Sequence, residues 1–141
     1  MNDLFNEDID FVGAKVALIC KDSILTILRD DIPTIPFPDM WDLPGGCREG
    51  KESAFECLRR ETFEELGINI LPSNIEKWKY FEDIVLHTKK SVFAIGNIDE
   101  IEIEKIKFGD EGQEYRLMKL EEFFENSKVI PEFKERVKEF L

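Results

Sequence analysis

A mixed β-sheet with helices on both of its faces, an α/β architecture of the α+β type, is the fold this sequence predicts. Three patterns carry the prediction. Short runs of strand length, alternating or wholly apolar, recur between residues 11 and 120. A capped amphipathic helix interrupts them at residues 54–66, and a second long helix closes the chain at residues 131–141. Strands that flank one helix and precede another bury their apolar faces when helices cover the sheet from both sides. With 141 residues, the chain is expected to form a single domain, 1–141, around one substantial core.

The elements follow in order. Residues 1–10, MNDLFNEDID, are acidic and unpatterned, and are expected to be a partly ordered, flexible arm. They have neither a basic leader nor an apolar stretch, so no secretory signal is expected. Residues 11–20 alternate Val12, Ala14, Val16 and Leu18 against Gly13, Lys15 and Ala17, which predicts a strand. After the polar break Lys21-Asp22, residues 23–28 form an almost wholly apolar run, so the pair predicts a hairpin with one strand buried on both faces. Pro33, Pro36 and Pro38 make residues 29–39 a loop, and residues 40–43 a short extended piece entering a glycine turn.

Ser53 with Glu56 three residues later is a capping box, and Gly67 suits the left-handed position that ends a helix. Residues 68–71 predict a brief strand closed by Pro72, and residues 78–86 and 91–98 two more, with Trp78, Tyr80 and Phe81 in the sheet core. Residues 99–112 predict an acidic loop, 114–120 a strand and 121–125 a short helix. Pro131 starts the last helix at its first turn.

Charge narrows the partners. Nineteen Lys and Arg against 31 Asp and Glu give a net charge of −12 and a pI near 4.6. This argues against nucleic acid and against an anionic membrane surface. A phosphorylated small molecule stays compatible, provided bound cations reverse the local sign. Three cysteines without a CxxC pair, and one histidine, make a His/Cys zinc site a poor reading. Reduced thiols and a cytoplasmic location are expected. No apolar run is long enough to span a bilayer. A sheet of this kind leaves an edge strand that could pair in a homodimer.

On a wheel of roughly 100° per residue, Phe55, Leu58, Thr62 and Leu66 share an arc of about 80° that faces the core. Glu61 and Glu65 flank this stripe, and Glu64 stands about 60° further round. Like charges at this spacing repel, whereas a hard divalent cation such as Mg²⁺ or Mn²⁺ reconciles them. Arg60 can neutralise or orient Glu64, and Glu52 is a further partner for it. A merely solvated acidic helix is the alternative.

The spacing around the helix separates the two. Gly46 is followed after five residues by Glu52, after seven more by Arg60-Glu61, then by Glu64-Glu65 and by Gly67-Ile68. This stretch, with the lead-in from Trp41 to Gly46, resembles the signature of the Nudix hydrolase superfamily. Its one departure is Thr62, where an aliphatic residue is usual. The resemblance implies an α/β/α sandwich that hydrolyses the diphosphate linkage of a nucleoside di- or triphosphate derivative by attack of water at phosphorus. It implies Mg²⁺ (or Mn²⁺) held by Glu61, Glu64 and Glu65 with the Gly46 carbonyl, and Glu52 paired with Arg60. The general base in such proteins is a glutamate of this motif or of a later loop. Glu61 is the first kind of candidate; Glu111 and Glu114, in a loop with flanking glycines, are the second.

Other residues carry less. Arg29 could meet a substrate phosphate or form a surface salt bridge. Trp41 and Phe37 could stack on a base, though anchoring a core or loop is the commoner use of such aromatics. His87 is expected in solvent, and Cys47 and Cys57 as small packing residues. Two rival functions remain: a catalytically silent nucleotide-binding module of the same fold, and a prenyl diphosphate isomerase, which would want more histidines than this chain has.

Overall fold

The computed structural model describes residues 3–141. Seven strands form one mixed sheet: β1 (Gly13–Cys20), β2 (Ser23–Leu28), β3 (Trp41–Asp42), β4 (Gly45–Cys47), β5 (Ile75–Glu82), β6 (Lys90–Asn97) and β7 (Glu114–Lys119). The helices are α1 (Ala54–Leu66), α2 (Glu100–Glu104), α3 (Leu120–Glu125) and α4 (Pro131–Phe140). The sheet runs β3-β2-β1-β6-β5, with β7 added to β2 and β4 to β1.

One departure from simple hairpin geometry builds the site. β1 and β2 pair antiparallel only beside their turn, at Ile19↔Ile24 and Cys20↔Ser23. Beyond it they splay apart, and the segment 41–47 fills the fork. Its first part pairs with β2 at Ile27↔Asp42 and Leu28↔Trp41; its last pairs with β1 from Gly13↔Cys47 to Lys15↔Gly45. Between them the Val16 N–H donates to the Pro44 carbonyl at 2.9 Å. On its other side β1 runs parallel to β6, which pairs antiparallel with β5.

The two faces carry separate cores, as the predicted fold requires. Ala14, Val16, Leu18, Leu25 and Ile27 pack against Phe55, Leu58 and Leu66 of α1. Ala17, Ile24, Phe93 and Met118 pack on the opposite face against Phe123 of α3 and Phe133 and Val137 of α4. β2 is buried along its whole length, as its unbroken apolar run predicts. The buried Arg136 ties α4 to the sheet: it donates to the Glu82 carbonyl at 2.6 Å and lies 4.7 Å from the Phe81 ring centre.

Of the arm expected at 1–10, residues 1 and 2 lie outside the described residues, and the ordered part includes a 3₁₀ turn at Asp3–Phe5. Leu4 is buried in the α1-side core, and the Phe5 ring sits 5.2 Å from that of Phe55. Other expectations are corrected. Residues 68–71 form no strand: Ile68 and Ile70 are buried in that core without a partner strand. β5 begins earlier than expected and ends at Glu82, leaving 83–89 to the turn. The loop 99–112 opens with the one-turn helix α2, whose N-cap Asp99 accepts from Glu102 N at 3.0 Å. Trp78, Tyr80 and Phe81 are only partly buried, because β5 is an edge strand.

Candidate active site

Helix α1 starts where its capping box predicts. Ser53 Oγ accepts from Glu56 N at 3.2 Å while Glu56 Oε1 accepts from Ser53 N at 2.8 Å. It ends at Gly67, whose φ of 69° is the left-handed conformation that suits glycine. The predicted stripe of Phe55, Leu58, Thr62 and Leu66 is buried, so Glu61 and Glu65 stand at the border between core and solvent.

Arg60 organises the outer half of the site. Its Nε and Nη2 hold both oxygens of Glu52, at 2.6 and 3.0 Å. Its Nη1 donates to Glu61 Oε1 at 2.9 Å and to Glu64 Oε1 at 3.0 Å, and lies 3.3 Å from Glu49. Nη2 also donates to the Cys47 carbonyl at 2.9 Å, which joins helix to turn. The guanidinium keeps the Glu52 carboxyl below its usual range, and Glu52 in turn raises the Arg60 pKa.

Glu65 belongs to the inner half. Burial pushes its pKa up to about 8, opposed by the nearby Lys15 charge and by the Gly45 N–H, which donates to its Oε1 at 2.9 Å. Burial likewise raises Glu61, with Arg60 opposing. The Glu61 carboxylate lies against Gly46 so closely that a Cβ there would come within 2.6–2.8 Å of it. Glycine at 46 is therefore what lets the carboxylate reach the backbone. The Gly46 carbonyl accepts a 3.5 Å contact from the buried Cys57 thiol, whose pKa burial pushes up to about 12.

The expected convergence of three carboxylates is not a closed cluster. Among the described residues no three Asp, Glu, His or Cys side chains are grouped to hold a metal ion. The reason is visible in the partners: Glu61 and Glu64 turn toward Arg60, and Glu65 toward Gly45 N. The donors themselves are all hard oxygens, and two of the carboxyls are held in surroundings that resist their charge. A divalent cation of the Mg²⁺ type suits such a set.

The remaining candidates are placed as follows. Glu111, on the loop before β7, and Glu114, the first residue of β7, are both exposed. The loop rests on the end of α1, where Gly109 N donates to the Glu65 carbonyl and Lys107 N to that of Leu66, both at 2.9 Å. It also meets the loop 29–39: Gly112 N donates to Asp30 Oδ2 at 3.2 Å, and Gln113 Nε2 to Arg29 O and Asp39 Oδ1 at 2.7 and 2.8 Å. Arg29 is bound within the protein, through Nη1 to Asp42 Oδ2 at 2.9 Å and Nε to the Pro36 carbonyl at 2.8 Å. Trp41 takes the commoner of its two expected uses: at 6% exposure its indole lies in the α4-side core with Leu28, Leu43 and Val129. Phe37 packs partly against the same core, His87 is exposed, and Cys47 is exposed rather than packed. Sequence reasoning passed over Lys15 and Asp42, although a lysine in an otherwise apolar central strand was the available signal.

Fold and helix together define a sheet-and-helix scaffold with an acidic, glycine-backed edge. A NUDIX domain model matches residues 11–140, and the chain belongs to that family, which places it among hydrolases of phosphate anhydrides. It is 36% identical over 98 residues to a nucleoside triphosphatase NudI of Salmonella arizonae, covering 62% of this chain and 67% of that one. A MutT protein from Methanosarcina mazei Go1 shares the fold with a TM-score of 0.72 at 22% identity, over 94% of both chains. A bifunctional NMN adenylyltransferase/ADP ribose pyrophosphatase from Francisella tularensis, solved with AMP and a Mn ion, gives 0.76 at 22% identity, over 92% of this chain and 40% of that one. No helix of the described residues is long and apolar enough to cross a membrane.

Proposed function

We propose that this protein is a divalent-cation-dependent pyrophosphohydrolase of small nucleotides, with a nucleoside triphosphate as its first candidate substrate. The observation that carries the reading is the row Glu61, Glu64 and Glu65 along one edge of α1, opposite the Gly45–Gly46 turn. Glu61, Glu64, Glu65 and the Gly46 carbonyl would hold Mg²⁺ or Mn²⁺. Such a cation supplies neutralisation of phosphate charge and activation of water.

The chain's own residues do the rest. Arg60, locked by Glu52, keeps Glu61 and Glu64 oriented and balances their charge between turnovers. Gly45 N–H holds Glu65 in place. A carboxylate receives the proton of the attacking water: Glu61 is the half-buried candidate on the helix, Glu111 the exposed one on the loop beside it and Glu114 the exposed one at the start of β7. Bound loops 29–39 and 109–114 are where the nucleoside is selected. The name of the Salmonella relative supports the triphosphate.

A panel of nucleoside triphosphates, ADP-ribose and dinucleotides, assayed with Mg²⁺ and with Mn²⁺ and read by product identification, tests the proposal. Glu64→Gln and Glu65→Gln should each lower turnover at least about a hundredfold while the fold survives. Turnover equal to wild type in both variants would refute the site. Nucleotide binding with no product across the panel would favour the silent module instead.

A further inference from the structure

Lys15 sits in the middle of β1, facing the fork that segment 41–47 fills. An ammonium in a sheet interior is destabilising unless its protons are all taken up. Here they are: Nζ donates to Asp42 Oδ2 at 3.0 Å, to the Leu43 carbonyl at 3.2 Å and to the Gly45 carbonyl at 3.0 Å. All three acceptors belong to the stretch that carries the glycine turn. Asp42, whose side chain is 7% exposed, also accepts from Arg29 at 2.9 Å, so the carboxylate that anchors the ammonium is itself held from two sides.

The turn is gripped from its other side by the helix. Gly45 N donates to Glu65 Oε1 at 2.9 Å, and the Glu61 carboxylate abuts Gly46. A continuous chain of contacts therefore runs Arg29–Asp42–Lys15–Gly45–Glu65. Backbone pairing already secures the strand itself, through Gly13↔Cys47, Ala14↔Gly46 and Lys15↔Gly45. To that ladder the lysine adds a hydrogen bond that fixes the direction of the carbonyl of Gly45, the residue whose N–H faces Glu65.

We propose that Lys15, anchored by Asp42, is a positioning residue that sets the Gly45–Gly46 turn against Glu65 and so shapes the cation-binding edge of α1. The proposal rests on the metal-site reading above. Its role is exerted through the turn, without contact to substrate.

The test is titration of the whole protein with Mn²⁺ in the absence of nucleotide, followed by electron paramagnetic resonance of the free ion, for wild type, Lys15→Met and Asp42→Asn. Far-UV circular dichroism accompanies each. Methionine keeps the length of the side chain and removes its donors. Lys15→Met should weaken Mn²⁺ binding by about 10- to 100-fold, as loss of an outer-shell partner does. On a nucleotide that the wild type turns over, kcat should fall by more than the KM for the nucleotide changes. Wild-type Mn²⁺ affinity in a folded Lys15→Met protein overturns the proposal, whatever its activity. If that variant does not fold, Asp42→Asn carries the test alone, and unchanged Mn²⁺ affinity there overturns it equally. A wild-type protein that binds no Mn²⁺ sinks this proposal and the metal-site reading together, whereas an affinity loss confined to the variants, with no nucleotide hydrolysed by any protein, sinks only the reaction and leaves Lys15 in its role.

Discussion

Arg60 grips Glu52 with two parallel hydrogen bonds, Nε to Oε2 at 2.6 Å and Nη2 to Oε1 at 3.0 Å, while its remaining donors reach Glu61, Glu64 and the Cys47 carbonyl. The pair joins the segment before α1 to the middle of the helix, and it places a fixed positive charge among four carboxylates. A planar fork makes this possible, and lysine has none. Arg60→Ala should lower unfolding stability by about 2 kcal/mol, the scale of lost hydrogen bonds to charged groups. Arg60→Lys should recover less than half of it, and Glu52→Gln should cost less than either. Urea unfolding of the three variants checks the order; a lysine variant as stable as wild type would show that charge alone suffices.

Glu65 makes stability and chemistry pull in opposite directions. Its carboxyl titrates near 8 in the fold, because burial disfavours its charge, and near 4.5 when unfolded. A raised acid favours the folded state in its protonated form. Its contribution is therefore full below about pH 4.5, declines as pH rises toward 8, and is spent above that. Metal-free protein should lose stability between pH 5 and pH 8, and Glu65→Gln should flatten that slope and be more stable by at least about 1 kcal/mol at pH 8. Mg²⁺ should raise the Tm of wild type at pH 8 and leave that of Glu65→Gln nearly unchanged. Parallel pH–Tm curves for the two proteins would remove Glu65 from the buried, cation-seeking role.

How much of this was legible in the sequence follows from the range of the interactions. Helix α1 and its caps rest on contacts three or four residues apart, so Ser53, Glu56 and Gly67 announced its bounds. The Arg60–Glu52 pair, eight residues apart, was read from motif spacing. Strand β4 was hidden, since Gly45–Cys47 pairs with β1 through backbone groups alone and has no side-chain alternation to show. The opposite error arose at residues 68–71, which look like a strand but use Ile68 and Ile70 only to fill the core. Lys15 and Asp42 meet across 27 positions in a fork that exists only once the sheet has formed. Leu4 is buried and the Phe5 ring meets Phe55, contacts of the N-terminal segment that no periodicity marks.

Thr62 is the motif's one departure, at a position where an aliphatic side chain is usual, and its hydroxyl is buried at 0% exposure with no hydrogen-bond partner among the described residues. An unpaired buried hydroxyl is destabilising, and valine has the same shape without it. Both residues are β-branched, so helix propensity changes little. Thr62→Val should raise stability by about 1 kcal/mol, seen as a higher Tm. Thr62→Ser, which keeps the hydroxyl and removes the packed methyl, should lower it. A valine variant less stable than wild type would mean the hydroxyl is satisfied in solution.

Gln113 ties the two loops on which nucleotide selection is proposed to depend. Its amide donates to Arg29 O and Asp39 Oδ1, and Asp39 accepts from Lys128 at 3.0 Å on its other oxygen. Those bonds, Gln113 first and Lys128 next, hold the Asp39 carboxyl below the usual carboxylate range. The brace is therefore in force at neutral pH and is lost only as pH falls through that lowered value. Phe37 and Asp39 keep positive φ angles of 51° and 58°, a conformation that aspartate tolerates but that a bulky phenylalanine keeps only where its neighbours hold it. Gln113→Ala removes one such constraint without touching α1. It should speed amide hydrogen exchange across residues 30–39, raise the KM for the nucleotide several-fold and change kcat by less. Exchange that quickens with no change in KM would dissociate the braced loops from substrate selection, and kcat falling with KM unchanged would assign Gln113 to the chemical step instead.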